Sequence, residues 1–184
     1  MLLIGLGAAA EAATYGEAPT LAEQVKAGKL PPVEQRVSSE PEVLKPLQSV
    51  GKYGGQLRFG LRGSSDYNNT LRMVGPQGLV RWNPDYTVII PNVAKSWDVN
   101  DNATVFTFHL RPGMKWSDGT PFTADDIMFN MQDMVLAGTL APTAPRYMAG
   151  GQPVKVEKVD DVTVRFTFAA PYGDFLAELA SPLG

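Results

Sequence analysis

One short segment concentrates the side chains that could carry out chemistry. Residues 109–126 read HLRPGMKWSDGTPFTADD and contain the only histidine of the chain, His109, together with Asp118, Asp125 and Asp126. An imidazole and carboxylates that converge on one point are the ligand types of a hydrolytic metal site. A secreted metal-dependent hydrolase that uses His109 and the nearby aspartates is therefore one hypothesis for the function.

The elements that must position these residues give each of them an ordinary structural role instead. His109 lies on the polar face of a predicted strand. Asp118 begins an Asp-Gly turn, and Thr123 is predicted to cap a helix whose first turn holds Asp125 and Asp126, the latter completing a capping box. The chain has no second histidine for a triad and no G-x-S-x-G elbow. We therefore predict no catalytic residue, no metal ligand and no cofactor, with the hydrolase as an alternative.

A second candidate site is the loop that follows the first predicted strand. Residues 56–61 place Leu57, Phe59 and Leu61 on one face, the period of a strand. A loop that leaves the end of a core strand is a common place for ligand contacts, although the same composition also fits a solvated loop. The candidate ligand-binding residues in it are Arg62, Ser64, Ser65, Asp66, Tyr67 and Asn68.

The remaining patterns predict a mixed α+β chain. A helix over 21–27 is predicted to begin with a capping box formed by Thr20 and Glu23 and to stop at Gly28. The other predicted elements are hairpins over 78–90, 98–111 and 154–168, one helical turn over 91–97, a helix over about 124–136 and a helix that begins near 172–175. The helix over 124–136 carries Ile127, Met131, Met134 and Val135 on one face, and its methionines are expected to fill the core. Trp116 is expected to pack the Asp-Gly turn onto the sheet.

Composition narrows the classes of partner. The chain has 184 residues, of which 44% are hydrophobic and 19% are charged, and its net charge is −3. These values fit a folded protein of about one domain, and the lack of a basic excess argues against nucleic acid as a partner. The sequence has no cysteine, which excludes disulfides, thiolate metal sites and thiol nucleophiles.

Residues 1–13 fit a signal peptide. The apolar run MLLIGLG is followed by small residues in an A-x-A pattern, and it is too short to span a bilayer, which takes about 20 residues. A positively charged n-region is missing, so we expect the signal to begin upstream; a buried apolar segment is the alternative. Residues 14–52 then read as an extended, proline-rich arm with one short helix, lying along a surface. This order indicates an exported, periplasmic protein.

Four motifs in series resemble those of a known family. They read IPNVAKSW over 90–97, FTFHLRPG over 106–113, KWSDGTPFTADD over 115–126 and VDDVTVRF over 159–166. This series resembles the signature of the family 5 extracytoplasmic solute-binding proteins, the oligopeptide- and dipeptide-binding receptors of ABC importers. The resemblance covers about residues 53–180.

The resemblance implies an α/β fold of the periplasmic-binding-protein type II kind, in which two lobes close on a ligand. It implies that residues 53–61 begin lobe I, that 62–170 form mostly an inserted α+β domain, and that 171–184 return to lobe I. The second lobe would then be missing, and the chain would be the N-terminal fragment of a longer protein. The implied function is that of a monomeric receptor, not an enzyme, which delivers a peptide-like solute to an ABC permease complex in the inner membrane.

The resemblance also bears on the candidate loop, because in the family the loop after the first strand lines the ligand cleft. This favours residues 62–68 as the ligand site. Many peptide receptors carry Leu-Asp-Pro in that loop, whereas the corresponding residues here read Ser65-Asp66-Tyr67-Asn68. Relatives that carry sugars, opines or nickel complexes therefore provide alternatives to a peptide ligand.

Overall fold

The structure is a computed structural model that describes residues 15–66, 77–138 and 143–181. Its fold is mixed α/β. None of the helices in these ranges is long and apolar enough to cross a membrane. The helices are α1 (Pro19–Lys26), α2 (Ala124–Phe129), which continues as a π-helix (Asn130–Val135), and α3 (Phe175–Leu179). The strands are β1 (Val80–Trp82), β2 (Ile89–Pro91), β3 (Ala94–Val99), β4 (Val105–Leu110), β5 (Met148–Ala149), β6 (Gln152–Pro153), β7 (Lys155–Asp160) and β8 (Thr163–Thr167).

The central sheet is antiparallel, with the order β3-β4-β8-β7. Its two hairpins confirm the pairings predicted within 98–111 and 154–168, and β1 with β2 confirms the hairpin within 78–90. Along β4 every second residue is buried, because successive side chains of a strand point to opposite faces. Both edge strands, β3 and β7, contain a shift in register, a feature that discourages pairing with a further strand.

The core is built mainly from phenylalanine. The ring of Phe175 in α3 lies 4.7 Å from that of Phe168, 4.9 Å from Phe106 and 5.6 Å from Phe166, measured between centroids. These four side chains are buried. Burying one such side chain contributes about 1.5–3 kcal/mol, so this cluster is a main source of the stability of the sheet.

The arm is tied to the domain that contains the sheet by polar contacts. The hydroxyl of Ser38 donates to the carbonyl oxygen of Pro112 at 2.7 Å, and Arg81 forms an ion pair with Glu42 at 2.7 Å. Further contacts join Lys95 to the carboxylate of Glu40, Arg111 to the carbonyl of Glu40 and Lys115 to the carbonyl of Gln35. The arm therefore lies against the surface of that domain.

The predicted start of the first helix is wrong, although its stop is confirmed. Helix α1 begins at Pro19 with Ala18 as its N-cap, and no side chain caps it. Proline is favoured at the first helical position because its fixed φ suits the helix and its missing N–H would have no helical partner there. Thr20 is therefore inside the helix and forms no capping box. Gly28 ends the helix region with φ +66.

The helical turn predicted over 91–97 is also wrong. Residues from Ala94 onward form β3, which pairs with β4 through Trp97 opposite Phe108 and Ala94 opposite Leu110. The backbone N–H of Ala94 in addition donates to the carbonyl of Leu79 at 3.0 Å. Pairing with β4 and this additional hydrogen bond outweigh the weak local preference of a short segment.

Residues 56–61 do not form the predicted strand. The structure assigns them no strand and no partner among the described residues. Their alternate apolar side chains face solvent, with Leu57 76%, Phe59 44% and Leu61 48% exposed. A strand is stabilised by hydrogen bonds and packing across to a neighbour, which an isolated segment does not have.

The helix predicted over 124–136 forms, but it changes type halfway. From Asn130 it is a π-helix, and the backbone N–H of Leu136 donates to the carbonyl of Met131 five residues earlier, at 2.8 Å. The wider turn shifts the following side chains relative to an α-helical face. Met131 is buried as predicted, whereas Met134, predicted on the same face, is 41% exposed.

Candidate functional site

The candidate loop after residue 61 is closed by one carboxylate. The backbone N–H of Arg62 donates to Oδ2 of Asp66 at 2.6 Å, and the N–H of Asp66 donates to the carbonyl of Gly63 at 3.1 Å. Residues Ser64–Asp66 form a single 3-10 turn between these contacts. An aspartate that bonds to nearby backbone is a common way to fix a tight loop.

The loop presents polar groups to solvent. Arg62, Ser64 and Ser65 are exposed and Asp66 is half-buried. Together they offer a guanidinium, a carboxylate and two hydroxyls, which suit hydrogen bonding to a polar solute rather than covalent catalysis. The other two candidates, Tyr67 and Asn68, lie outside the described residues.

The residues of the hydrolase hypothesis are not brought together as a metal site. His109 Nε2 lies 2.8 Å from Oδ2 of Asp98 on the neighbouring strand, so its partner is a cross-strand carboxylate. Asp118 accepts the backbone N–H and the hydroxyl of Thr120, at 2.9 and 2.7 Å, and these two bonds lower the pKa of its carboxyl. No group of three metal-ligating side chains occurs in the described parts of the chain.

The remaining two acids of that segment start a helix, as predicted. Thr123 and Asp126 form the capping box of α2. The Thr123 side chain accepts a backbone N–H of the first helical turn, and the Asp126 carboxylate accepts the backbone N–H of Thr123 at 2.7 Å. Asp125 forms an ion pair with Lys158 at 2.7 Å. That contact is the first cause of the raised pKa of Lys158. The polar density of residues 109–126 is therefore structural.

Trp116 differs from its prediction. Its side chain is 50% exposed rather than packed onto the sheet. The ring meets Phe122 edge-on, with centroids 5.1 Å apart, and Nε1 donates to Oδ1 of Asp126 at 3.0 Å. The tryptophan thus stabilises the start of α2 from outside and leaves part of its ring accessible.

A cleft that was not predicted lies between the arm and the turn 115–119. Its volume is about 440 Å³, and Leu30 and Pro31 of the arm face the turn residues across it. Nothing local in the sequence points to this cleft, because its two walls are about 80 residues apart along the chain. The exposed tryptophan beside an Asp-Gly turn is the one signal available.

Comparison with protein families gives a match over residues 88–184. The matching family is described as bacterial extracellular solute-binding proteins, family 5 Middle. The matched range contains the whole central sheet, α2 and α3.

Two curated relatives with similar sequences are periplasmic binding proteins by name. The periplasmic alpha-galactoside-binding protein of Rhizobium meliloti is 37% identical over 166 residues, which are 78% of this chain and 24% of that protein. The periplasmic oligopeptide-binding protein OppA of Escherichia coli is 38% identical over 106 residues, 50% of this chain and 19% of that protein. The chain thus spans about a quarter or less of the length of these relatives.

Solved structures match nearly the whole chain. An oligopeptide-binding protein OppA is 41% identical with a TM-score of 0.84, covering 93% of this chain and 26% of that one. The periplasmic binding protein MelB of Agrobacterium fabrum C58, in complex with stachyose, is 30% identical with a TM-score of 0.70, covering 93% of this chain and 29% of that one. The described fold is therefore the mixed α/β fold of one part of such binding proteins.

Proposed function

The chain belongs to the bacterial extracellular solute-binding proteins of family 5, and from this premise we propose that the full-length protein is the solute receptor of an ABC importer. It captures a small solute in the periplasm and delivers it to a permease complex in the inner membrane. The observation that best supports this role is the similarity to OppA over 93% of the chain. The family is one of binding proteins, not enzymes, so the hydrolase hypothesis based on His109 is set aside.

The mechanism is closure of two lobes on the solute. Ligand stabilises the closed state because it makes contacts with both lobes there and with only one in the open state. In this proposal residues 53–61 begin lobe I, 62–170 form mostly the inserted domain and 171–184 return to lobe I. The alternating apolar residues of 56–61, exposed in this structure, support it, since neighbouring strands of a complete lobe would cover them. Residues 1–13 act as the signal peptide.

The solute we favour is a peptide, held in part by the loop 62–68. The higher identity and TM-score of the OppA structure support this class over a sugar. The loop supports it too, since a guanidinium and a carboxylate can pair with the two charged ends of a peptide. In this proposal the ligand contacts come from Arg62, Ser64, Ser65, Asp66, Tyr67 and Asn68.

An α-galactoside is the second candidate solute. The relative whose alignment covers 78% of this chain is named for alpha-galactoside binding, and MelB was solved with stachyose. The hydroxyls and carboxylate of the same loop would serve sugar hydroxyls as well as peptide groups.

Calorimetric titration of the full-length protein with trialanine and with stachyose tests both candidates. We expect trialanine to bind and Asp66→Ala to weaken it about tenfold, equivalent to about 1.4 kcal/mol, because the loop loses the carboxylate that closes it. Asp85→Ala, which removes an exposed aspartate in the turn between β1 and β2, is the matched control and should leave binding unchanged. Binding of stachyose alone would replace peptide by galactoside, and binding of neither would contradict both candidate solutes.

A further inference from the structure

The cleft between the arm and the turn 115–119, here named the arm–turn cleft, has firmly held walls. On the turn side, the backbone N–H of Trp116 donates to the carbonyl of Thr120 at 2.8 Å, and the N–H of Gly119 donates back to the carbonyl of Trp116 at 2.9 Å. On the arm side, Lys115 Nζ donates to the carbonyl of Gln35 at 2.8 Å. A volume of about 440 Å³ lies within the range of about 300–1,000 Å³ usual for small-molecule sites.

The charged side chains around the cleft cancel one another, and a cleft without net charge favours a neutral ligand. Arg36, one of the lining residues, forms an ion pair with Glu17 and donates from Nε to the carbonyl of Pro31 at 2.9 Å. This leaves one cation, Lys115, and one anion, Asp118, in the lining. The Asp118 carboxyl is ionised at neutral pH, since even its ordinary pKa is acidic and the hydrogen bonds from Thr120 lower it further. An anionic or cationic ligand would therefore meet one favourable and one unfavourable charge.

The free hydrogen-bonding groups of the lining include both donors and acceptors. An ammonium has three N–H donors, and Lys115 uses one of them on Gln35. Both hydrogen bonds that Thr120 gives to Asp118 reach the same oxygen, Oδ1. Ser117 adds a hydroxyl, which can donate and accept. A ligand hydroxyl can likewise both donate and accept a hydrogen bond.

Trp116 supplies an apolar plate beside these polar groups. Its ring packs against Phe122 and its N–H donates to Asp126, so the orientation of the ring is fixed. The half-exposed side chain can stack on a flat apolar surface at little cost in conformational entropy. Sugar rings offer such a surface in their C–H groups, with hydroxyls around the rim.

We propose that the arm–turn cleft is a saccharide-binding site, in which a sugar ring stacks on Trp116 while its hydroxyls bond to Lys115, Ser117 and Asp118. This site is separate from the solute site of the receptor: its walls are the arm and the turn, and none of residues 62–66, the described part of the loop, lines it. It is independent of whether the transported solute is a peptide or a galactoside.

Fluorine NMR of the full-length protein labelled with 5-fluorotryptophan tests the proposal. The signals of Trp116 and Trp97 are assigned by their loss in Trp116→Phe and Trp97→Phe. Stachyose and methyl α-glucopyranoside are titrated in, with trialanine as the counter-probe. We expect at least one sugar to shift the Trp116 signal saturably and to leave the Trp97 signal in place. A Trp116 signal that no sugar moves, or that trialanine moves equally, overturns the proposal.

Variants measured by saturation-transfer NMR on the sugar complete the test. Trp116→Ala should weaken the cleft affinity at least tenfold, Trp116→Phe should weaken it less because a ring remains, and Asp118→Asn should weaken it several-fold. Asp85→Asn is the control for loss of an exposed turn aspartate. Equal affinity in Trp116→Ala and wild type would reject the site. A sugar bound only between the lobes would leave the Trp116 signal unmoved, so failure of this site and failure of the receptor proposal are distinguishable.

Discussion

Two segments of the chain carry the same sequence pattern and have opposite surroundings. In β4 the alternating residues Phe106, Phe108 and Leu110 are almost completely buried. In residues 56–61 the alternating apolar residues are exposed, and no strand lies beside them in the described structure. The alternation therefore specifies a face that can be buried, and neighbouring strands decide whether it is.

The difference extends to the regions that contain the two segments. The sheet domain, of which residues 77–138 and 143–181 are described, contains every buried residue among the described parts of the chain. The N-terminal segment, residues 15–66, contacts that domain mainly through polar groups and keeps many apolar side chains exposed. Since apolar burial is the dominant source of folding free energy, we infer that the sheet domain carries most of the stability.

Truncating one phenylalanine in each region tests this difference in stability most directly. Phe175→Ala should lower the free energy of unfolding by about 3–5 kcal/mol, because it opens a cavity among the core rings. In the 184-residue chain Phe59→Ala should change it by less than about 0.5 kcal/mol, because no strand of the described structure packs on that partly exposed side chain. Urea denaturation followed by circular dichroism measures both. Equal losses would mean that residues 56–61 are packed in solution.

A smaller effect is expected from the two threonines that were predicted to cap helices. Thr123→Ala should cost about 1 kcal/mol, because it removes an observed capping box at the start of α2. Thr20→Ala, in α1, should be neutral or slightly stabilising, because that threonine caps nothing and alanine favours the helix interior. The same denaturation experiment compares them, and a loss at Thr20 as large as at Thr123 would speak against the Pro19 start of α1.

The smallest expected effect is on the loss of stability at acidic pH. Hydrogen bonds from Thr120 lower the pKa of Asp118, and the backbone N–H of Val162 is the first cause of the lowered pKa of Asp160. A lowered folded-state pKa gives stability that is present above the ordinary value of 3.8 and is lost as pH falls through the folded value. The double variant Asp118→Asn, Asp160→Asn should therefore lose less stability than wild type between pH 5 and pH 3, roughly the window of these groups. Urea midpoints across that range measure it; parallel slopes would contradict the assignment.

Much of the sheet domain could be predicted because its signals are local. Strict alternation along β4 and β8, the Asp118-Gly119 turn and the Thr123 cap each depend on neighbours a few residues away. The failures lie where distant contacts decide. Residues 94–97 become a strand because β4 lies beside them, and Met134 leaves its predicted face because the helix widens into a π-turn.

For the candidate site, only its position along the chain could be predicted from the sequence. The sequence identifies the loop from Arg62 as polar and positioned after an apolar alternation, and the closure of the loop by Asp66 is visible only in the structure. The arm–turn cleft was not predictable, because Leu30 and Trp116 become neighbours through the path of the arm across the domain.

Short-range chemistry in the sequence is sufficient to specify the antiparallel hairpins, the helix cap and turn of residues 109–126, and the family resemblance that these motifs carry. The three-dimensional packing specifies which apolar alternation is buried, which threonine caps a helix and how much of Trp116 stays exposed. Burial and cleft shape depend on what packs against a segment, and the packing partners come from distant parts of the chain.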